Sequence, residues 1–232
     1  MEVDFHNETE KILTEAEKEE EKYFFSILGK EFICYNGVFT PKYFSDPKFF
    51  IESLPIRTGD KFLEIGSGTG VISIFMKIKG ASEVTAIDID PLAIKNTEEN
   101  VRLYQFQDKI EILQGNVFDP LDNQKFDIIF WNFPFGYVNE EPEQKRISVY
   151  NKRYEGLKKF TEGMKRHLRE NGRVLVGFST AIGNKKIFEE ILNKNKLKSR
   201  LFKERIDKQG DEKAVGKKLK EVKYELFEIY NE

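Results

Sequence analysis

The sequence predicts an α/β fold with a mostly parallel sheet covered by helices on both faces. Three observations predict it. From residue 61 onward five short apolar runs alternate with stretches of helical length, a glycine-rich turn joins the first run to the first such helix, and an acid ends the second run. Of 232 residues 39% are apolar and 13% aromatic, enough to bury a core and to exclude full disorder.

The elements follow in order. Residues 8–28 read as a charged amphipathic helix, with Asn7 and Glu10 as a capping pair and Ile12, Ala16, Tyr23 and Ile27 on one stripe. Residues 1–36 are therefore expected to be an N-terminal helical extension and 37–232 the main domain. Gly37, Pro41 and Pro47 break the following stretch too often for one long element. The strand candidates are Lys61–Ile65, Glu83–Asp88, Ile110–Gln114, Phe126–Trp131 and 173–179, with helices over Val71–Ile78, 91–104 and 155–169. Pro91 suits a first helical turn and Asn171-Gly172 the end of a last one. Residues 207–220 read as a mobile polar loop before a last strand at 223–230.

Composition narrows the function classes. No apolar run reaches 18 residues, so no membrane span is expected, and the polar, acidic start does not read as a signal peptide. Cys34 is the only cysteine and His6 and His167 the only histidines, which rules out a disulfide framework and a structural zinc set. A cytoplasmic protein without a metal is the expectation. The net charge of −2 hides a polarity: residues 1–150 hold 16 Lys and Arg against 27 Asp and Glu, whereas residues 151–220 hold 21 against 9. A basic 151–220 region suggests an anionic partner such as RNA, and lysine-rich solvated helix faces explain it equally well.

The turn Glu64-Ile65-Gly66-Ser67-Gly68-Thr69-Gly70 lets the chain reverse tightly and lets a ligand approach bare backbone. Its third glycine comes one residue too early for a dinucleotide fingerprint, and no lysine follows for a phosphate loop. Asp88, 22 residues after Gly66, stands where a carboxylate accepts two hydrogen bonds from a ribose diol. Capping of the helix at Pro91 competes for Asp88 and accounts better for Asp90.

With Leu63–Gly70 and Ala86–Pro91 in place, the chain over about residues 37–180 resembles the class I S-adenosylmethionine-dependent methyltransferases. The resemblance implies a Rossmann-like, mostly parallel seven-stranded sheet, and makes 37–232 a methyltransferase domain. It places Gly66, Ser67, Gly68 and Gly70 around the methionine part of the cofactor, Asp88 on the ribose and Ile89 against adenine. Asn116, with Val117 beside it, stands near the position of an adenine-contacting Asp in that family, and Glu64 is a candidate for the cofactor's ammonium group. Gly37-Val38-Phe39-Thr40-Pro41 followed by Asp46 resembles the segment covering the methionine end, with Thr40 and Pro41 near the sulfonium. Tyr35 and Phe39 are candidates either for the target pocket or for the core.

The run Phe126–Trp131 continues directly into Asn132-Phe133-Pro134-Phe135. This tetrad resembles the Asn-Pro-Pro-Tyr/Phe motif of methyltransferases acting on amino groups conjugated to a π-system, in nucleic-acid bases or in release-factor glutamine. Such a nitrogen is a poor nucleophile because its lone pair is delocalised. Two acceptors on its N–H groups orient it and expose the lone pair. The Asn132 oxygen and the carbonyl of Phe133 would be those acceptors, and Phe135 would stack on the planar group. Phe133 replaces the family's first proline, but Pro134 still biases residue 133 toward extended backbone. The competing account is a strand-end turn with both phenylalanines in the core.

The expected activity is therefore N-methylation of a planar NH2 group, with a nucleobase in RNA first and a protein glutamine second. Residues 1–36 are short for the recognition domain that the glutamine enzymes carry. A cofactor-binding but inactive subunit is the third possibility. Cytosine C5 chemistry needs a cysteine beyond the fourth strand, and Cys34 lies far upstream. A polyamine-forming transferase expects an acid where this chain has Asn132. His167, among Lys165, Arg166 and Arg169, reads as a surface residue.

Overall fold

In a computed structural model, which describes residues 4–209 and 220–231, the strand and helix candidates between 61 and 131 form as expected. Strands β3 (Lys61–Ile65), β4 (Glu83–Asp88), β5 (Ile110–Gln114) and β6 (Phe126–Trp131) are parallel neighbours in a seven-stranded sheet. β9 (Leu168–Phe178) continues the sheet in parallel beside β6. β11 (Lys220–Asn231) and β10 (Leu197–Gln209) close that edge as an antiparallel pair, giving the order β10-β11-β9-β6-β3-β4-β5. The sheet is thus mostly parallel and Rossmann-like.

Two apolar layers sandwich it. Helices α2 (Asp46–Ser53), α3 (Val71–Ile78) and α4 (Pro91–Leu103) bury Phe50, Ile74 and Val101 on one face. Helices α5 (Glu155–Gly163) and α6 (Lys185–Lys194) bury Phe160, Phe188 and Leu192 on the other. The central strands facing both layers are mostly apolar, with Leu63 and Ile129 at zero exposure, because neither face meets water.

The N-terminal segment differs from expectation. Helix α1 spans only Phe5–Ala16, and its cap is Asp4, whose side chain accepts from the Asn7 amide at 3.1 Å, so the expected Asn7–Glu10 box does not form. Residues 22–35 form a hairpin of β1 (Lys22–Ile27) and β2 (Lys30–Tyr35), not the end of a long helix. Tyr23 and Ile27 fit a helical stripe, but together with Phe25 they also fit a period of two, and burial alternates strictly along β1. Leu28 and Gly29 both take positive φ, the geometry of a two-residue hairpin turn. Tertiary pairing decides the outcome. Asn96 and Asn100 of α4 bond the backbone of Ile33 and Tyr35 on β2 at 2.8–2.9 Å, satisfying a strand edge that would otherwise be buried unpaired.

Helix 155–169 is also shorter than expected. α5 ends at Gly163, a 3-10 turn covers Met164–His167, and β9 begins at Leu168. Gly163 packs directly under Phe118, where a Cβ would lie 2.6 Å from that ring. Asn171-Gly172 therefore sits within β9, with Asn171 at φ +64°. His167 is buried rather than on the surface: it stacks on Phe118 and pairs through Nδ1 with the Gln124 carbonyl at 3.0 Å. Of the expected loop 207–220, residues 207–209 and 220 belong to β10 and β11, and the rest lies outside the described residues. Among the described residues no helix is long and apolar enough to cross a membrane, and no cluster could hold a metal.

Candidate functional site

The carboxyl ends of β3, β4, β5 and β6 open onto one crevice of about 760 Å³. This is where open α/β sheets place their ligands. The glycine turn forms its floor. Gly66 and Ser67 donate their amides to the Ile87 carbonyl at 2.7 and 3.0 Å, tying the turn to β4. Gly70 caps α3 at φ +74°, and a Cβ there would lie 2.9 Å from Thr97, so both conformation and space demand glycine. Gly70 closes the turn without lining the crevice, whereas Gly66, Ser67 and Gly68 line it.

Two carboxylates border this floor. Asp88 Oδ2 accepts from the Gly68 amide at 2.8 Å and its Oδ1 from the Asp90 amide at 3.0 Å. Burial pushes its pKa up while those bonds pull it down, and burial prevails. The bonds fix the carboxylate in place, with lone pairs remaining on each oxygen for two hydroxyl donors. Asp90 caps α4 through the Leu92 amide at 3.0 Å. Glu64 is 2% exposed and accepts from the amide and hydroxyl of Ser73 at the start of α3. Burial raises its pKa to about 8 against those bonds, so a cation in the crevice would draw it back toward ionisation.

The remaining predicted cofactor residues divide. Ile89 is an apolar side chain 54% exposed on the crevice wall, and Asn116 and Val117 line the same wall. Val117 holds φ +60°, a conformation costly for a β-branched residue. Pro41 lines the crevice. Thr40 does not: it is buried beside an adjoining cleft, its hydroxyl accepting from the Lys42 amide at 3.2 Å. Tyr35 belongs to the core, whereas Phe39 lines the crevice.

Behind the crevice lies a second pocket of about 30 Å³, room for about two water molecules. Phe39, Asn132, Pro134 and Ser148 line both spaces and so stand between them. The tetrad separates by role. Phe133 is 1% exposed and packs against Trp131, Tyr154, Phe178 and Phe188, so its ring is core. Phe135 is half-buried and faces the small pocket. Its carbonyl accepts from the Tyr154 hydroxyl at 2.6 Å, which pins the loop after β6.

Asp46, which the sequence offers only as the end of the segment resembling a cover for the methionine end, accepts through Oδ2 from Asn132 Nδ2 at 2.6 Å, across 86 positions. Other lining residues carry no local signal in the sequence. Thr9 of α1 and Val222 and Tyr224 of β11 complete the small pocket. α1 roofs it, docked by Ile12 and Leu13 against Phe44 and Val149, and held by Arg146, which pairs with Glu10 at 2.8 Å and Glu17 at 2.5 Å.

Comparison with known proteins agrees with this geometry. The family model described as methyltransferase small domain matches residues 30–203. A release factor glutamine methyltransferase of Aquifex aeolicus is 31% identical over 193 residues, which cover 76% of this chain and 66% of that one. A ribosomal protein L11 methyltransferase of Anoxybacillus flavithermus is 35% identical over 77 residues, 33% of this chain and 24% of that one. The chain thus spans about two thirds and about a quarter of these relatives. Among solved structures, the 16S rRNA N2 G1207 methyltransferase of T. thermophilus, in complex with AdoMet and guanosine, superposes with a TM-score of 0.64 at 18% identity, covering 92% of this chain and 52% of that one. At that identity the likeness speaks for the fold.

Proposed function

This chain belongs to the methyltransferase small domain family, and from that premise we propose that it methylates a planar NH2 group, the side-chain carboxamide of a protein, using S-adenosylmethionine. The observation that carries the proposal is Asn132: a half-buried amide at the end of β6 that lines both the crevice suited to the cofactor and a small pocket walled by aromatic rings.

The residues fit the cofactor. Asp88 offers lone pairs to a ribose diol, the exposed Ile89 offers an apolar face to adenine, and Glu64 offers a carboxylate to the ammonium group. When bound, S-adenosylmethionine supplies a methyl group activated by its sulfonium. The protein's part is to orient the acceptor. Asn132 Oδ1, which has no hydrogen-bond partner, takes one N–H, and the Phe133 carbonyl takes the other. With both hydrogens held, the nitrogen lone pair is turned out of conjugation and toward the crevice. Phe135 flanks the acceptor plane.

Two features support a carboxamide over a base. The pocket is narrow, and a bicyclic base would have to displace its aromatic walls. The Aquifex relative, at 31% identity over most of this chain, is named for glutamine. A nucleobase in RNA is the second reading, favoured by the basic residues 151–220. Within the described part, however, Lys159, Arg169, Arg173, Arg200 and Arg205 are each paired with an acid.

Purified protein incubated with methyl-labelled cofactor and a cell extract, followed by separate protease and nuclease treatment, tests this. Label released by protease alone is expected. Label released by nuclease replaces the carboxamide with a base. Cofactor binding by calorimetry with neither pool labelled would leave the chain a cofactor-binding subunit.

A further inference from the structure

We propose that Asp46 is a positioning residue for this transfer: its carboxylate holds the Asn132 side chain by the nitrogen end, committing the oxygen end to the acceptor N–H. The inference rests on the reading of Asn132 given above and adds what makes that residue an acceptor rather than a donor.

Asp46 opens α2, is 2% exposed, and accepts from Asn132 Nδ2 at 2.6 Å. A side-chain amide can meet a neighbour with either end, one donating and the other accepting. An ionised carboxylate only accepts, so it selects one of the two orientations. An asparagine at position 46 would keep a hydrogen bond at no ionic cost but would meet either end of Asn132. Burying a carboxylate is therefore a disadvantage for a simple staple, and the orientation it imposes is what it adds.

Two observations fit this role. With Nδ2 held, Asn132 Oδ1 is buried with no hydrogen-bond partner. It lies against Gly177 of β9, where a Cβ would crowd both the Phe50 ring at 2.5 Å and this oxygen at 2.9 Å. The other oxygen of Asp46, Oδ1, is likewise buried without a hydrogen-bond partner.

The surroundings make the orientation sensitive to protons. Tyr224 of β11 faces Asp46, and beyond it lie Arg205 and Asp207 of β10. Arg205 is committed to Asp207 and to Glu52 of α2. With no cation against it among the described residues, Asp46 is pushed by burial up to about 7, although its bond to Asn132 opposes the shift. Once protonated, Asp46 becomes a donor and Asn132 can meet it with Oδ1. The amide nitrogen then faces the acceptor amine, donor against donor. Transfer should therefore fall as pH drops through about 7, while cofactor binding through Asp88 and the glycine turn does not follow it.

Nitrogen-15 NMR of the whole protein with S-adenosylhomocysteine bound tests this without any change at position 46. The Asn132 side-chain amide signals, assigned by their loss in Asn132→Ala, should titrate with a midpoint near 7, and a flat trace from pH 5.5 to 8.5 overturns the inference. In parallel, methyl incorporation into unfractionated protein by Asp46→Asn should fall at least tenfold at pH 8 and lose its acid limb. Asp46→Glu should recover part of both, and calorimetric affinity for the cofactor should stay within twofold of wild type. Wild-type kinetics in Asp46→Asn, beside a collapse in Asn132→Ala, would discard the role of Asp46 and keep that of Asn132. An active Asn132→Ala would remove the underlying reading itself.

Discussion

In its proposed role, Glu64 would make cofactor binding depend on pH. Its pKa is raised by burial, so the folded protein favours the protonated form, and ionisation costs stability as pH rises from the unfolded value near 4.5 through about 8. At 1.36 kcal/mol per pKa unit the cost above pH 8 is at most a few kcal/mol. Glu64→Gln should therefore raise the melting temperature of the cofactor-free protein at pH 9 and leave it little changed at pH 5. Calorimetry on the same variant should show S-adenosylmethionine binding weakened about tenfold or more through loss of the ammonium partner. Equal affinity would take Glu64 out of the cofactor site. Asn132→Ala should lower turnover by a factor on the order of 100 or more, as does the loss of one transition-state hydrogen bond, with cofactor affinity unchanged. The tetrad's departure from the family, Phe133 for proline, is absorbed by packing: its ring fills the core under α6, and its carbonyl is available whatever the side chain.

Among the elements, α1 roofs the small pocket beside Asn132. It contributes Thr9 to that pocket and is joined to the loop after β7 (Gly136–Val138) and before β8 (Tyr150–Lys152) by Arg146. Both acids paired with Arg146 are partly exposed, which limits the pairs to about 1 kcal/mol. Arg146→Ala should thus speed hydrogen exchange in α1 about fivefold and change the acceptor KM more than the cofactor affinity. Unchanged exchange would mean that Ile12 and Leu13 alone dock the helix. The β10–β11 hairpin closes the opposite wall. It runs past the end of β9 and brings Tyr224 to the pocket that holds Asp46 and Asn132.

For the whole molecule, charge is the discriminating property. The excess of lysine and arginine in 151–220 suggests a nucleic-acid face when counted along the chain, but folding spends many of the described ones on acids such as Asp119, Asp127 and Glu228. A surface releasing six to ten counterions loses about three to five decades of affinity between 50 and 200 mM salt. Binding of this protein to total RNA, measured by filter retention, should instead be weak and change less than tenfold over that range. A steep slope would return RNA to first place as the substrate.

By itself the sequence determined the alternation of strands and helices from Lys61 to Trp131, the glycine turn, Asp88 at the end of β4, and Asn132 at the end of β6. These are local matters: an apolar run of five or six residues and a turn with its glycines are settled within a few dozen positions. Only the tertiary structure decided that Tyr23, Phe25 and Ile27 face the core from a strand, because helical and strand periods agree over so short a run until α4 offers Asn96 and Asn100 as backbone partners. It alone brought Asp46 to Asn132, set α1 over the pocket and turned Thr40 away from the crevice. Such contacts join residues far apart in the chain, and neither periodicity nor turn chemistry reaches that distance.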